Sequence, residues 1–349
     1  MRLGVNLGYW GAGNDADNLE LAREADRLGY AVAWAAEAYG SDAATVLTWV
    51  AAHTERIDVG SAIFQIPGRT PALTAMTAAI LDTLSGGRFR LGLGVSGPQV
   101  SEGWHGVRFD DPLGRTREYV AIVRSALRRE TVRFDGEHWT LPLPGGPGKA
   151  LKLTVHPVRG DIPIYLAAVG PKNLELCGEI ADGWLAIFFS PEHAADSLAR
   201  VRAGRATAGA SMAGFDVAAT MPVVIGEDVA ACADPIRAYA ALYLGGMGSR
   251  DQNFYNALAV RMGFGEAAGR VQDLYLDRRQ RDAAAAVPVE FIDQTSLIGP
   301  PARIADRLGA HAEAGVTTVN VAPHATTLTE RLAALRTVSR ALDAAGVGD

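Results

Sequence analysis

The chain has 349 residues, 48% of them apolar and 21% charged, a composition that suits a large packed core and excludes a disordered chain. A net charge of −6 and an isoelectric point near 5.7 leave no basic surplus to neutralise phosphates, which excludes nucleic acid as a main partner. No apolar run reaches the length of a membrane span, and the opening Met1–Leu7 reads as a strand, not as a signal sequence. A cytoplasmic protein without a membrane partner is therefore expected.

The predicted elements alternate strand and helix from the start. Strand Leu3–Leu7 precedes helix Asp15–Leu28, strand Val32–Ala36 precedes helix Ala43–Thr54, and strand Ile57–Phe64 precedes helix Pro71–Leu84. Strand Phe89–Val95 is followed, after a loop, by helix Arg115–Arg129. Such β-α units with short connections favour a parallel sheet with right-handed crossovers. Residues 96–162 interrupt the rhythm, with Val132–Leu141 reading as a hairpin around Asp135-Gly136 and a Pro/Gly-rich loop over 141–148. The alternation then resumes: strand Pro163–Val169 with helix Pro171–Ala181, strand Gly183–Phe188 with helix Pro191–Ala208, and strand Val217–Val224 with helix Val229–Leu244. An Ala/Arg-rich helical insertion over 250–286 precedes helix Ala302–Ala314, strand Val316–Val321 and helix Thr329–Ala344. Eight strands predict a (β/α)8 TIM barrel of α/β class, one domain over residues 1–349 with insertions near 130–162 and 250–286. The competing open, doubly wound sheet would carry a dinucleotide fingerprint after its first strand, and Gly8-Tyr9-Trp10-Gly11-Ala12-Gly13 lacks that register.

In a barrel the chemistry lies at the C-terminal ends of the strands, which selects the residues to inspect. After the fifth strand the chain reads Ala167-Ala168-Val169-Gly170-Pro171-Lys172-Asn173 and enters a helix directly. A glycine lets backbone approach an anion, and the helix start offers unpaired N–H groups. Lysine occurs only at positions 149, 152 and 172, so a charge at Lys172 stands out. An ordinary strand–helix turn is the plainer reading. The third strand ends apolar and then carries Gln65, leaving room for a flat ligand face or for simple barrel packing. Glu37 ends an apolar strand, where a carboxylate is costly unless solvated or paired. Glu102 and His105 share the loop after the fourth strand. No metal site is expected: the histidines at 53, 105, 138, 156, 193, 311 and 324 show no ligand spacing, and His53 and His311 read as structural. Cys177 and Cys232 read as small buried residues of a reducing compartment. No nucleophile elbow or Walker loop is present.

The succession Ala62-Ile63-Phe64-Gln65-Ile66-Pro67, Arg69-Thr70-Pro71, Leu84-Ser85-Gly86-Gly87-Arg88-Phe89, Gly92-Leu93-Gly94, Gly170-Pro171 and Ala181-Asp182-Gly183-Trp184 resembles the luciferase-like monooxygenase superfamily. Within it, Ser96-Gly97-Pro98-Gln99 and Gly103-Trp104-His105-Gly106 resemble the F420-dependent oxidoreductases related to methylenetetrahydromethanopterin reductase. The resemblance covers almost the whole chain. It implies a barrel holding a deazaflavin or flavin ring at its C-terminal mouth, a non-prolyl cis peptide at Ala62–Ile63 backing that ring, and the coenzyme's phosphate on Val169, Gly170, Pro171 and Lys172. The cofactor-binding set expected is Tyr9, Glu37, Ala62, Ile63, Gln65, Ser96, Gln99, Val169, Gly170, Pro171, Lys172 and Asn173.

The chain also departs from the family's patterns. Glu37-Ala38 stands where the sugar-phosphate dehydrogenases have Asp-His, Ser96-Gly97-Pro98 where they place an acid, and Asn6 where the methylene reductases have a glutamate. Both of those substrates are therefore unexpected. Glu37, Tyr39, Glu102 and His105 remain as candidate catalytic acids. The function implied is hydride transfer between coenzyme F420 and a small organic substrate, in the sense of reducing a C=C or C=N bond. The alternatives are an FMN-dependent monooxygenase and a non-catalytic barrel that carries F420 or flavin. A homodimer is expected.

Overall fold

A computed structural model describes residues 1–11 and 15–349; Ala12 and Gly13, part of the glycine-containing segment after the first strand, lie outside the described residues. Eight parallel strands close on themselves: β1 (Arg2–Asn6), β2 (Val32–Ala35), β3 (Asp58–Ser61), β4 (Phe89–Gly94), β5 (Ile164–Ala167), β6 (Gly183–Ile187), β7 (Asp216–Ile225) and β8 (Thr318–Pro323). Each pairs with the next, β6 pairs with β7, and β8 returns to β1. The (β/α)8 barrel expected from the alternation is the fold.

Alternation along the strands separates two apolar layers. Ala33, Val59, Leu91, Val217 and Val319 point outward onto the helices, in one large cluster. Val32, Trp34, Tyr165, Leu185 and Ala218 point inward and fill the barrel. Below them the interior is ionic. Arg90 of β4 donates to Asp58 at 2.8 Å and to the Tyr165 hydroxyl at 3.1 Å, and it lies 3.4 Å from Asp216. Tyr165 and Thr318 donate to Asp216 at 2.8 Å. Above that layer the Trp34 indole donates to Asn320 Oδ1 at 2.9 Å and meets Tyr165 edge-on at 5.2 Å. The lower end is thus plugged, and only the C-terminal mouth is left for a ligand.

Several family-like motifs prove to be structural. Gly86 and Gly87 have φ of +67° and +86°, a turn that L-residues resist. It aims Arg88 at the carbonyls of Ala51 (3.2 Å), Thr54 (3.1 Å) and Ser85 (2.8 Å), stapling two loops at the barrel's base. Asp182 accepts from Ile164 N at 2.8 Å and Arg124 at 2.9 Å. A Cβ on Gly183 would meet the Tyr165 ring at 2.4 Å.

The structure departs from the sequence reading in five places. The third strand is not continuous over 57–64. It stops at Ser61, and a two-residue strand, Phe64–Gln65, resumes pairing with β4. The helix expected from Arg115 begins at Pro112, because Asp111 caps it by accepting from Gly114 N at 3.1 Å. The helix expected over 191–208 opens as a 3-10 turn, Pro191–His193, before Ala194–Thr207. The helix from Val229 ends at Ala241 and continues as a π-helical turn, Leu242–Gly246. The insertion extends past 286 to helix Val289–Gln294 and a short strand, Leu297–Gly299, on the end of β7. Its helices cover a second apolar cluster around Phe188, Ile236, Leu244 and Phe291. The expected hairpin is present as Phe134–Asp135 against Thr140–Leu141. Both cysteines are buried and free, and burial pushes the Cys177 thiol far up.

The interruption in β3 is a bulge. Gly60 pairs with Arg90 and Phe64 with Leu93, so one strand spends an extra residue between the two pairs. The Ser61 hydroxyl fills the missing ladder, donating to Gly92 O at 2.8 Å and accepting from Gly92 N at 2.9 Å. Ser61 is fully buried, so its loss would strand both Gly92 groups. Ser61→Ala is expected to cost about 1–3 kcal/mol in urea unfolding at unchanged m-value, whereas Ser96→Ala, half-exposed, should cost less. Equal stability of Ser61→Ala and the parent would refute the bridging role.

Candidate active site

The bulge lifts Ala62 and Ile63 into the mouth, joined by the non-prolyl cis peptide expected there. Both pack on the inward layer with Ala167, and Ile63 lies so close over Gly94 that a Cβ there would meet its Cδ1 at 2.7 Å. The two residues form an apolar floor at the ends of β3, β4 and β5.

Gln65, 2% exposed, ties that floor to both sides. Its amide donates to Ala38 O at 2.6 Å, after β2, and its carbonyl oxygen accepts from the Ser96 hydroxyl at 2.9 Å, after β4. Ser96 reaches it from a left-handed backbone, φ +61°. Gln65 and Ser96 therefore brace the floor from beneath and beside it.

Glu37 is the second brace. Its carboxylate accepts from Ala43 N at 3.1 Å, Gln65 N at 3.4 Å, and Arg69 Nη2 at 2.9 Å and Nε at 3.3 Å. Arg69 also pairs with Asp42 and stacks over the Phe64 ring at 4.5 Å. Burial raises the Asp42 carboxyl, but hydrogen bonds from Thr45 and the Arg69 charge outweigh it and lower the net value. With its oxygens so engaged, Glu37 is paired with Arg69 instead of free. It positions the loop.

The other expected acids are not drawn together, and among the described residues no hydrogen bond links any two of the four. Tyr39 is 64% exposed. Glu102 lies on the short helix Pro98–Gly103, where it accepts from Phe109 N at 3.1 Å. His105 lies against Gly68, where a Cβ would meet its Cε1 at 2.9 Å, and its buried Nε2 has no partner among the described residues. Gln99 is exposed on the same short helix.

After β5 the chain turns at Gly170 into helix Pro171–Ile180. The Trp184 indole holds the approach to that turn, donating to Ala168 O at 2.9 Å, and Asn173 Nδ2 reaches Ala167 O at 3.4 Å. Gly170 has φ −78°, an angle open to any residue. What it provides is space, since a Cβ there would meet nothing within 4 Å. The N–H groups of Lys172 and Asn173 lie in the unpaired first turn, and Lys172 is exposed. Arg261, from insertion helix Phe254–Arg261, arrives beside them and donates to Val169 O at 3.0 Å. The sequence reading missed Arg261, because no local spacing links it to a turn 92 residues away.

The reading also missed an aromatic group at the ends of β6, β7, β8 and β1. It gathers Phe188, Tyr239, Tyr243, Tyr255 and His324, with ring separations of 4.8–5.7 Å along the chain of contacts. Tyr9 is near enough to raise Tyr239, Tyr243 and Tyr255 further after burial has raised them.

Comparison with known proteins agrees with this geometry. The luciferase-like monooxygenase family matches residues 6–318. The chain belongs to that family. It is 44% identical over 342 residues, 96% of this chain and 99% of the other, to a Mycobacterium tuberculosis protein provisionally named coenzyme F420-dependent oxidoreductase Rv3520c. It is 34% identical over 210 residues, 60% of this chain and 61% of the other, to 5,10-methylenetetrahydromethanopterin reductase of Methanolobus tindarius. The fold is that of the coenzyme F420-dependent tetrahydromethanopterin reductase of Methanopyrus kandleri, with a TM-score of 0.83, 24% identity and 97% of each chain covered.

The Glu37 brace yields a direct test. Glu37→Gln leaves the half-buried Arg69 with Asp42 as its one carboxylate partner among the described residues, and a loss of about 1–3 kcal/mol in stability is expected. If Glu37 holds the loop and donates no proton, any turnover that the variant retains keeps the parent's pH profile. A profile that loses its acid-dependent limb would return Glu37 to the role of donor.

Proposed function

We propose that this protein transfers hydride between coenzyme F420 and a small organic substrate, in the direction that reduces a C=C or C=N bond. The observation that carries the reading is the juxtaposition at one mouth, after β3 and β5 on either side of β4, of the apolar Ala62–Ile63 floor and the open, cationic turn at Gly170. The floor suits the flat face of a ring, and the turn suits the phosphate of a tail. Identity of 44% across nearly the full length with a relative named for F420 supports the choice of deazaflavin.

When bound, the coenzyme would supply hydride chemistry. The chain's own residues would do the rest. Ala62 and Ile63 would back the ring, with Gln65 and Ser96 keeping them in place, and Tyr9 beyond them at the mouth. Gly170 would leave room for the tail phosphate, the N–H groups of Lys172 and Asn173 would donate to it, and Lys172 with Arg261 would neutralise it. Helix Phe254–Arg261 would shelter this end from water. We assign all of this to one barrel domain over residues 1–349, working in the cytoplasm. No helix among the described residues is long and apolar enough to cross a membrane.

A calorimetric titration of the purified protein tests the coenzyme directly. F420 is expected to bind at least about tenfold tighter than FMN, a difference of ~1.4 kcal/mol, and the reverse order would sink the choice. Gly170→Leu fills the open turn and should abolish tight binding of full F420 while sparing its deazaflavin core without phosphate. Lys172→Ala should cost about 1–3 kcal/mol if the ammonium reaches the phosphate. Unchanged F420 binding by Gly170→Leu would place the phosphate elsewhere.

We also propose a homodimer. Leu73, Met76, Ile80 and Leu84 are each 43–62% exposed and recur at helical spacing along helix Pro71–Leu84. Trp49, 52% exposed, lies on neighbouring helix Ala43–Ala52. An apolar stripe of this kind marks an association surface. Sedimentation should give a dimer for the parent and a folded monomer for Met76→Glu/Ile80→Glu; a monomeric parent would remove the proposal.

A further inference from the structure

The mouth has two halves of opposite chemical character. The half at the ends of β3, β4 and β5 holds the apolar floor and the cations Lys172 and Arg261. The half at the ends of β6, β7, β8 and β1 is built from neutral rings. Phe188, 3% exposed, is its hub, with ring centroids 5.7 Å from Tyr239, 5.5 Å from Tyr243 and 6.4 Å from Tyr255. Tyr243 stands 4.8 Å from both Tyr239 and Tyr255, and His324, just past β8, closes the row 5.2 Å from Tyr239.

Three features distinguish this group from ordinary packing. Tyr239, Tyr243, Tyr255 and His324 are only half-buried, so they line space as well as fill it. Tyr243 sits in the π-helical turn Leu242–Gly246, an irregularity that recurs at functional sites. Its ring lies 4.8 Å from that of Tyr239, and the Tyr255 hydroxyl has no partner among the described residues.

The electrostatics are equally specific. Burial, then neighbouring phenols, raises Tyr239 and Tyr255, and among the described residues no hydrogen bond joins either hydroxyl to a carboxylate or a cation. Burial, then Tyr9, pushes Tyr255 up to about 12, which keeps it protonated and neutral. Burial holds His324 below the ordinary imidazole value, against the hydrogen bond to Pro235 that raises it, so that ring is also neutral near pH 7. A carboxylate or phosphate placed here would lose hydration and find no counter-charge. A neutral ring would stack on Tyr243 and Tyr255 and could accept a hydrogen bond from the free phenol.

We propose that Tyr9, Phe188, Tyr239, Tyr243, Tyr255 and His324 form the substrate chamber, and that it takes an uncharged, ring-bearing compound whose polarised double bond presents an oxygen or nitrogen to the Tyr255 hydroxyl. This rests on the reading that the coenzyme occupies the other half. The chamber accounts for the gathering of neutral rings in this half of the mouth, and it makes Tyr255 and Tyr243 the residues that set specificity.

The test uses matched probes on the full-length protein saturated with F420. Cinnamamide and cinnamate share a ring and a conjugated double bond and differ in charge. By calorimetry, cinnamamide is expected to bind at least about tenfold tighter than cinnamate. Tyr255→Phe should weaken cinnamamide several-fold and keep the preference. Tyr255→Arg should reverse it by supplying the missing cation, with Tyr243→Arg as the second variant should the first not fold. F420 affinity should stay within about threefold throughout, a result that a general loss of structure would not give. Equal or tighter binding of cinnamate by the parent, or binding of neither probe, overturns the chamber. If F420 does not bind but the preference for cinnamamide persists in the coenzyme-free protein, the coenzyme reading fails and the chamber stands.

Discussion

A buried arginine governs this barrel. Arg90 lies inside the strand cylinder, 8% exposed, where an unpaired guanidinium would be prohibitively costly. It is satisfied only when Asp58 of β3, Tyr165 of β5 and Asp216 of β7 converge on it. Arg2 of β1 adds a contact to Asp216 at 3.1 Å, and Thr318 of β8 adds another. These groups come from strands far apart in sequence, so the network forms only when the sheet closes in one register. It also seals the lower end with charge and the middle with Trp34 and Asn320, which leaves a single end for chemistry.

At that end a second network fixes the apolar surface formed by Ala62 and Ile63. The bulge after β3 lifts Ala62 and Ile63 clear of the ladder, and Ser61 replaces the lost backbone bonds with its hydroxyl. Gln65, Glu37 and Arg69 then fix the descending segment against the loops after β2 and β4. None of these three need touch the reacting atoms. Their role is to remove freedom from the floor, which is how an enzyme holds a flat group in a reactive pose without paying for its ordering at each turnover.

The insertion after β7 completes the mouth. One short helix, Phe254–Arg261, carries Tyr255 near its start and Arg261 at its end, roughly 9 Å apart at the helical rise. It therefore contributes a neutral ring to one half and a cation to the other. The Ala/Arg composition of the insertion, which read only as helical, hides this division because the two residues meet partners remote in the chain.

Much of the architecture was legible in the sequence. Alternating strand and helix signals identified a barrel, because hydrophobic periodicity and turn residues are local properties. Gly170-Pro171 marked a strand–helix turn for the same reason, and the residues around Ala62 carried a family pattern that includes the cis bond seen there. Side-chain pairing was not legible. Glu37 looked like a free acid until folding placed Arg69 against it, and nothing local to the sequence showed that His105 would lie against Gly68. Arg261 and the tyrosines of the insertion carried no signal at all, since their meaning depends on distances across the barrel. The sequence by itself determined the strand order, the family and the strand–helix turn at Gly170-Pro171, which rest on contiguous residues. Only the tertiary structure decided which carboxylates are neutralised and which rings meet at the mouth, because charge pairing and stacking depend on separation in space, not along the chain.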